Sequence, residues 1–199
     1  EITKFSSATE RTRWKKLMDI NKFTDKAREA VGQAQSIAAG MGHQETDAEH
    51  LPLALVQQEK GIVPRILEQM GVQPKALSVA IEGVLRKRPS VSGGGMDPNK
   101  IMITQRLAKI LGDAQNEANR MKDEYVSVDH LFAALTDVAP SSPLGEVFKE
   151  YKIARARFVA AMEELRGGAR VTSATPEDTF EALTKYARDL VEAARQGKM

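Results

Sequence analysis

Apolar residues recur at spacings of three and four over most of the chain, which is the pattern of amphipathic helices. Thr24 precedes the first such stretch, and threonine is a residue type that caps helix N-termini. Glycine or proline follows the end of several stretches, as at Gly71 and Pro89. The pattern predicts eight helices through residue 166, at about 24–41, 47–60, 63–70, 74–88, 104–121, 127–135, 144–151 and 154–166.

The last four of these helices repeat the first four. Equivalent residues lie 80 positions apart through the first two helices of each set and 81 apart afterwards, because the second set has one residue more in the loop that follows. Examples are Thr24 and Thr104, Val31 and Leu111, His50 and His130, and Leu77 and Phe158. Each unit alone is too small to bury its apolar faces well. We therefore predict an all-α fold in which two tandem four-helix repeats pack as a pseudo-twofold globule, followed by a C-terminal linker helix.

The segments between helices set the predicted boundaries. Residues 89–99 (PSVSGGGMDPN) have the composition of a flexible loop, and a second polar stretch begins at Gly167 and Gly168. A last amphipathic helix at about 179–195 has no apolar partner after it, so we expect a longer parent protein. The predicted units are an atypical extension or added segment at 1–17, repeat 1 at 18–88, an inter-repeat loop at 89–102, repeat 2 at 103–166, a flexible linker at 167–178, and the start of a following domain at 179–199.

Composition and charge exclude several classes of protein. The 199 residues contain no cysteine, which excludes disulfide scaffolds, thiolate catalysis and Cys-ligated metals. The formal net charge of +2 comes from the segment 1–17, which carries five Lys or Arg against two Glu and leaves 24 basic against 25 acidic side chains elsewhere. We therefore expect no nucleic-acid partner. The chain has neither a membrane-length apolar run nor a secretory signal pattern, so we expect no membrane association and a cytoplasmic location.

The candidate chemistry is sparse. His50 and His130 lie near the third position of a helix in both repeats, where a structural role is expected, and His43 is expected to be a solvated loop residue. Further ligands with suitable spacing are missing around them, so we predict no metal site. The basic clusters at 86–88 and at 155 and 157 lack interleaved aromatic residues, so a solvated structural role is predicted for them in preference to phosphate contact.

The repeat residues carry a family resemblance. FTDKAREAVGQAQSIAAGMGH at 23–43, DAEHLPLAL at 47–55 and ITQRLAKILGDAQNEANRMKDEYVSVDHLFAAL at 103–135 resemble the duplicated N-terminal domain of Clp-type AAA+ chaperones. The loop at 89–99 and the polar linker are most similar to the ClpB branch, the protein disaggregases. The segment TPEDTFEALTKYARDLVEAARQGKM at 175–199 resembles the lead-in to their first ATPase domain.

The resemblance implies a substrate-engaging domain that binds unfolded or aggregated polypeptide and passes it to an ATPase ring. The alternative is an adaptor-docking domain of a ClpA/ClpC-type protease unfoldase. Because the chain has no GxxxxGK[ST] loop, we expect this fragment to be no enzyme and to bind no cofactor. For the full-length protein, the resemblance implies ATP and Mg²⁺, a hexamer and cooperation with a DnaK-type chaperone system. The fragment itself is expected to be monomeric.

The resemblance also suggests four substrate-binding residues: Thr24, Leu111, Asp123 and Asp129. In such domains the cap threonine of the first helix and acidic residues around the start of the sixth helix form a polar surface linked to chaperone activity. Their positions also allow simpler roles. Thr24 would be only a helix cap, Asp123 a solvated loop acid, and Asp129 a charge that favours a helix N-terminus.

Overall fold

The computed structural model describes residues 20–59, 61–91 and 101–176. The predicted extension at 1–17 and the predicted helix at 179–195 lie outside the described residues.

A 3-10 turn at Ile20–Lys22 precedes the helices and the short strands. The helices are α1 (Asp25–Gly40), α2 (His50–Gln57), α3 (Ile62–Gln69), α4 (Pro74–Arg86), α5 (Gln105–Met121), α6 (Val128–Leu135), α7 (Pro143–Glu150) and α8 (Arg155–Arg166), and the strands are β1 (Glu45–Thr46) and β2 (Met102–Ile103). The predicted all-α fold is confirmed, with one small two-stranded sheet in the described part that the helical pattern does not reveal.

Side-chain caps fix the starts of the two long helices. The Oγ1 atoms of Thr24 and Thr104 accept hydrogen bonds at 3.2 Å from the backbone N–H groups three residues later, as predicted. The predicted cap at Asp47 is wrong, because a turn at 48–49 follows it and α2 begins at His50. The Asp47 carboxylate instead accepts from the adjacent Ala48 N–H at 2.7 Å.

Two short parallel pairings make the pseudo-twofold relation visible. Strand β1 pairs with β2, and Thr46 lies opposite Ile103. A single parallel bridge joins Phe23 to Val126. In the alignment of the repeats, Phe23 matches Ile103 and Thr46 matches Val126, so each pairing maps onto the other with the strands exchanged. In each pairing, the residues just before the first helix of one repeat pair with the residues between the first and second helices of the other. The two repeats are therefore joined at equivalent places on both sides of the axis.

The core lies around α2 and α6. Every residue from His50 to Val56 is buried, and so is every residue of α6. Helix α1 buries four alanines, Ala27, Ala30, Ala34 and Ala38, whose small side chains allow close approach to α2. Across the axis, α3 packs on α8 and α4 packs on α7. The predicted packing of the two repeats into one globule is confirmed.

Candidate functional site

The four residues suggested as substrate-binding lie inside the domain. The exposed fraction is 0% for Thr24, 2% for Leu111, 7% for Asp123 and 1% for Asp129. Leu111 belongs to the hydrophobic core, and Thr24 caps α1. Their role in substrate binding stays a prediction, but the expected polar surface is replaced by a buried polar cluster. We call Asp123, Ser127, Asp129, His130 and Arg166 the second-repeat cluster.

The start of α6 builds this cluster from local geometry. Ser127 caps the helix, and its backbone N–H donates to His130 Nδ1 at 3.0 Å in a capping box. An acceptor at Nδ1 leaves the ring proton on Nε2, which lies 2.9 Å from Asp123 Oδ2. The buried ring therefore links a helix cap to the Asp123 carboxylate, and the structural role predicted for His130 is confirmed.

Arg166 supplies the positive charge of the cluster. It is the last residue of α8, it is 5% exposed, and its guanidinium donates to Asp123 Oδ2 at 2.6 Å. The same group donates to Asp129 Oδ2 at 2.7 Å. Burial opposes the charged form, but Asp129 and Asp123 outweigh it and raise the pKa of Arg166. One buried cation is thus held between two buried carboxylates.

Asp123 is not the solvated loop acid that the simpler interpretation expects. Its side chain is 1% exposed. Burial alone would raise the pKa of this carboxyl, but hydrogen bonds from His130 and Arg166 lower the pKa to about 2. Burial also acts against ionisation of Asp129, and the neighbouring Arg166 charge lowers that pKa as well. Both carboxyls are therefore ionised at neutral pH.

Sequence reasoning missed Arg166, although the repeat contained a signal. In the alignment of the repeats, Arg166 occupies the position of Leu85, which is 0% exposed. A charged residue at a position that the other repeat buries requires an opposite charge in the interior. The acidic residues around the start of α6 are Asp123, Glu124 and Asp129. The alignment of the repeats therefore indicated an acidic partner for Arg166 without selecting which of them.

In repeat 1, the position equivalent to Asp123 carries no acid. His43 is the repeat equivalent of Asp123, and its Nδ1 is 2.8 Å from His50 Nε2. The solvated His43 predicted from the sequence is wrong, because the residue is 4% exposed. Burial lowers the pKa of His50 to about 4, and burial also lowers the pKa of His43. The structural role predicted for His50 is confirmed, since its Nδ1 accepts from the Asp47 N–H at 2.9 Å.

A separate ionic group joins the two repeats beside this histidine pair. Arg88 lies 3.0 Å from the carboxylates of both Asp47 and Glu49. Arg106, from α5, reaches the same two carboxylates. Burial opposes ionisation of Asp47, but the hydrogen bonds from Arg106 and Thr104 lower its pKa to about 2. These side chains tie the end of repeat 1 to the start of repeat 2.

The basic clusters are partly engaged with protein groups. Arg88 is bound as just described, and Arg155 pairs with Glu117 and with Asp137. Arg157 donates to the backbone carbonyl of Met70 in repeat 1. Arg88 and Arg155 are partly exposed and bind carboxylates across helices, which fits the structural role predicted for these clusters.

The exposed large apolar residues in the described part of the chain are few: Ile20, Val79, Val91 and Met102. Two of them flank the turn that follows α1. The Val91 N–H donates to the Gly42 carbonyl at 2.9 Å, and Met102 lies opposite Glu45 in the β1–β2 pair. Val91 is 50% exposed and Met102 is 42% exposed. We call Val91 and Met102 the turn patch.

Within 20–59, 61–91 and 101–176, no three or more His, Asp or Glu side chains are grouped so that they could hold a metal ion. Among the helices of these segments, none combines the length and the hydropathy that a membrane crossing requires.

The sequence matches a known domain family and several known proteins. The model of the Clp repeat (R) N-terminal domain matches residues 22–151. The chaperone protein ClpB of Nitratidesulfovibrio vulgaris is 51% identical over 182 residues, which cover 92% of this chain and 21% of that protein. ClpB of Bacillus cereus is 39% identical over the same length and coverage. The chain thus spans about a fifth of the length of these relatives.

Solved structures share the fold at low sequence identity. The Hsp104 N-terminal domain from Candida albicans superposes with a TM-score of 0.66 at 21% identity, covering 78% of this chain and 99% of that one. The ClpV N-domain in complex with a VipB peptide superposes with a TM-score of 0.60 at 19% identity, covering 85% and 98%. The duplicated helices and the crossed pairings of the structure fit the repeat domain that the family model describes. The chain belongs to the Clp repeat N-terminal domain family, and over 92% of its length it is similar to ClpB chaperones.

Proposed function

We propose that this domain engages unfolded or aggregated polypeptide and passes it to the ATPase ring of a ClpB-type disaggregase. The observation that carries the proposal is the 51% identity to a ClpB chaperone over 92% of the chain. The same fold accommodates a bound peptide in the ClpV N-domain, which supports peptide binding by this chain. The rest of the parent protein would supply ATP hydrolysis, the hexamer, and contact with a DnaK-type system in the cytoplasm.

The turn patch is the surface we assign to client contact. Val91 and Met102 expose apolar side chains on two segments that bind the chain just after α1, one at Gly42 and the other at Glu45. A small apolar surface of this kind binds exposed hydrophobic segments weakly and with little sequence preference. Methionine suits such a surface because its flexible thioether adapts to different shapes. The buried carboxylates of the second-repeat cluster take no direct part in this contact.

This fragment should have no catalytic activity of its own. Its sequence contains no P-loop, so we propose that the isolated chain neither binds nor hydrolyses ATP. Measurable ATP turnover by the purified chain would contradict this part of the proposal.

The test compares one model client in its native and its permanently unfolded form. Fluorescence anisotropy of the labelled client should show weak, saturable binding of the unfolded form and none of the native form. Equal binding of both forms would overturn the proposal. A folded partner bound in a one-to-one ratio, with no preference for unfolded chains, would instead support the adaptor-docking alternative.

A paired variant locates the surface. Val91→Ser together with Met102→Ser should weaken binding of the unfolded client about tenfold, since each loses about 1 kcal/mol or less of apolar contact. Val79→Ser is the matched control, because Val79 is 69% exposed on α4, outside the turn patch. Equal losses in both variants would exclude the turn patch as the contact site.

A further inference from the structure

The chain does not leave the domain where α8 ends. Gly167 ends the helix in the left-handed conformation, at φ 56°. Val171, a few positions after the helix, is 0% exposed although it lies in an irregular segment. The linker predicted to be flexible from residue 167 is therefore packed on the domain around Val171.

Hydrogen bonds hold this segment at two places. The Val171 N–H donates to Asp123 Oδ1 at 2.8 Å, and its carbonyl accepts from the Glu124 N–H at 2.9 Å. Farther along, the Ala174 carbonyl accepts from the Asp25 N–H at 2.9 Å. Asp25 is the first residue of α1, where a backbone N–H has no partner within its own helix. The segment thus spans from the second-repeat cluster to the N-terminus of α1.

Repeat 1 provides an internal comparison. Val91 stands as far beyond the end of α4, the last helix of its repeat, as Val171 stands beyond the end of α8, and Val91 is 50% exposed. Its N–H donates to a backbone carbonyl, that of Gly42, where the Val171 N–H donates to a carboxylate. The position of that carboxylate, Asp123, is occupied in repeat 1 by His43. We call residues 167–174 the exit segment. The valine that follows the last helix is thus buried in the repeat that has a carboxylate at this position, and it is half exposed in the repeat that has a histidine there.

The two oxygens of Asp123 have different partners. Oδ2 is fixed by Arg166 and by His130, at 2.6 and 2.9 Å, which leaves Oδ1 directed at the Val171 amide. Asp129 holds the other side of the Arg166 guanidinium. The buried ion cluster thus orients an acceptor toward the exit segment.

We propose that residues 171–174 form a latch that fixes the chain where it leaves the domain, and that Asp123 is the positioning residue of this latch. The latch rests on a few hydrogen bonds and one buried valine, so it opens while the helices remain folded. Opening frees residues 167–174 and lengthens the tether to the rest of the protein by at most about 28 Å. Opening of the latch sets how far the domain extends from the rest of the protein to engage a client. Only this role of the latch rests on the proposed function.

The latch gives another origin for the activity linked to the acidic positions by resemblance. Asp123 and Asp129 are enclosed by Arg166 and Ser127, so a client cannot reach them without opening the cluster. Their substitution acts on the latch first. A change of domain reach would then alter chaperone activity with no loss of a client contact.

Hydrogen exchange of the full chain, measured by mass spectrometry without any client, tests the latch. In the wild type, the amides around Val171 should be protected. Val171→Ser and Asp123→Asn should each raise their exchange at least about tenfold. The amides of α5, and those of α1 after Asp25, whose own N–H binds the Ala174 carbonyl, should change by less than about twofold. The matched controls are Thr172→Ala, at an exposed neighbour, and Asp113→Asn, at a carboxylate on the outer face of α5; both should leave the segment protected.

Three results would overturn the proposal. The wild-type segment could exchange as fast as an unstructured peptide. Val171→Ser could accelerate exchange in α1 and α6 as much as in the segment, which would make Val171 an ordinary part of the core. Asp123→Asn could leave the segment protected, which would remove Asp123 from the latch.

Cleavage by trypsin after the exposed Arg170 gives a second measurement that uses Val171→Ser alone and so does not depend on folding of Asp123→Asn. The variant should be cut there faster than the wild type, and equal rates would contradict the latch. Neither measurement involves a client, so failure of the latch is distinct from failure of the proposed function.

Discussion

A histidine three residues after a capping backbone group occupies the same place in both repeats, but its partner differs. In repeat 1 the His50 ring meets His43, and in repeat 2 the His130 ring meets Asp123. The first pair is neutral and buried, whereas the second belongs to an ionic cluster. The position shared by His43 and Asp123 therefore carries a charge in repeat 2 and none in repeat 1.

These groups predict how stability depends on pH. The pKa of His50 is about 4 in the folded protein and 6.5 ordinarily, so the unfolded chain binds a proton first as the pH falls. Stability should therefore decline from pH 6.5 to 4. The pKa values of Asp123 and Asp47 are about 2 against an ordinary 3.8, so their contribution is lost between pH 4 and 2. Urea unfolding at successive pH values measures both intervals.

Two variants show which residues cause the loss of stability in each of the two pH intervals. His50→Gln should lower stability overall and flatten the decline between pH 6.5 and 4, while the lower interval remains. Asp123→Asn should reduce the decline below pH 4 and leave the upper interval as it is. A wild-type stability that stays constant from pH 6.5 to 4 would contradict the buried, uncharged state of His50.

The charge on Arg166 also predicts a large effect on stability. Arg166→Leu leaves Asp123 and Asp129 buried without their cation, and should cost about 3–5 kcal/mol. Arg86→Leu is the control, because Arg86 is an exposed residue in a long surface pair with Glu82, and it should cost less than about 1 kcal/mol. Urea unfolding at pH 7 measures both. A loss below about 1 kcal/mol for Arg166→Leu would contradict the buried ion cluster.

At the scale of elements, the helices follow from local signals. Thr24 and Thr104 cap helices that begin one residue later, and the alanine stripe of α1 faces the core. These features depend on neighbours a few residues apart, so the sequence alone predicts them. The prediction that Asp47 caps α2 is wrong because its side chain accepts hydrogen bonds from the next residue and from Arg106, and the helix starts three residues later.

The cluster and the latch depend on contacts that local patterns do not contain. Arg166 reaches Asp129 and Asp123 across 37 and 43 residues, and Val171 reaches Asp123 across 48. The polar composition of residues 167–176 predicted a free linker because a single valine gives no periodicity. Alignment of the repeats was the one route to Arg166, since it set a charge against the buried Leu85.

The cap of α1 offers a test at this scale. Thr24→Ala removes the oxygen that accepts the Ala27 N–H and should lower the free energy of unfolding by about 1–2 kcal/mol. Thr24→Ser keeps an acceptor and should recover most of the loss. Ser36→Ala, in the exposed middle of the same helix, is the control and should change stability by less than about 0.5 kcal/mol. A Thr24→Ala variant as stable as the wild type would contradict the capping role.

At the scale of the whole molecule, the repeats form one unit. Pairings on both sides of the axis exchange strands between repeats, α3 and α4 pack on helices of repeat 2, and Arg88 and Arg106 share their carboxylates. The acidic residues that the resemblance suggested for substrate binding lie inside this unit, and the turn patch lies on its surface. Client contact and the latch are thereby assigned to different places.

The affinity of an unfolded client for two variants tests this separation most directly. Fluorescence anisotropy would compare the wild type, Asp123→Asn, and Val91→Ser combined with Met102→Ser, at a temperature where all three keep the same helical content. We expect Asp123→Asn to bind within about twofold of the wild type and the double variant to bind about tenfold more weakly. A loss of affinity in Asp123→Asn, with normal binding by the double variant, would contradict the account and place client contact at the acidic cluster.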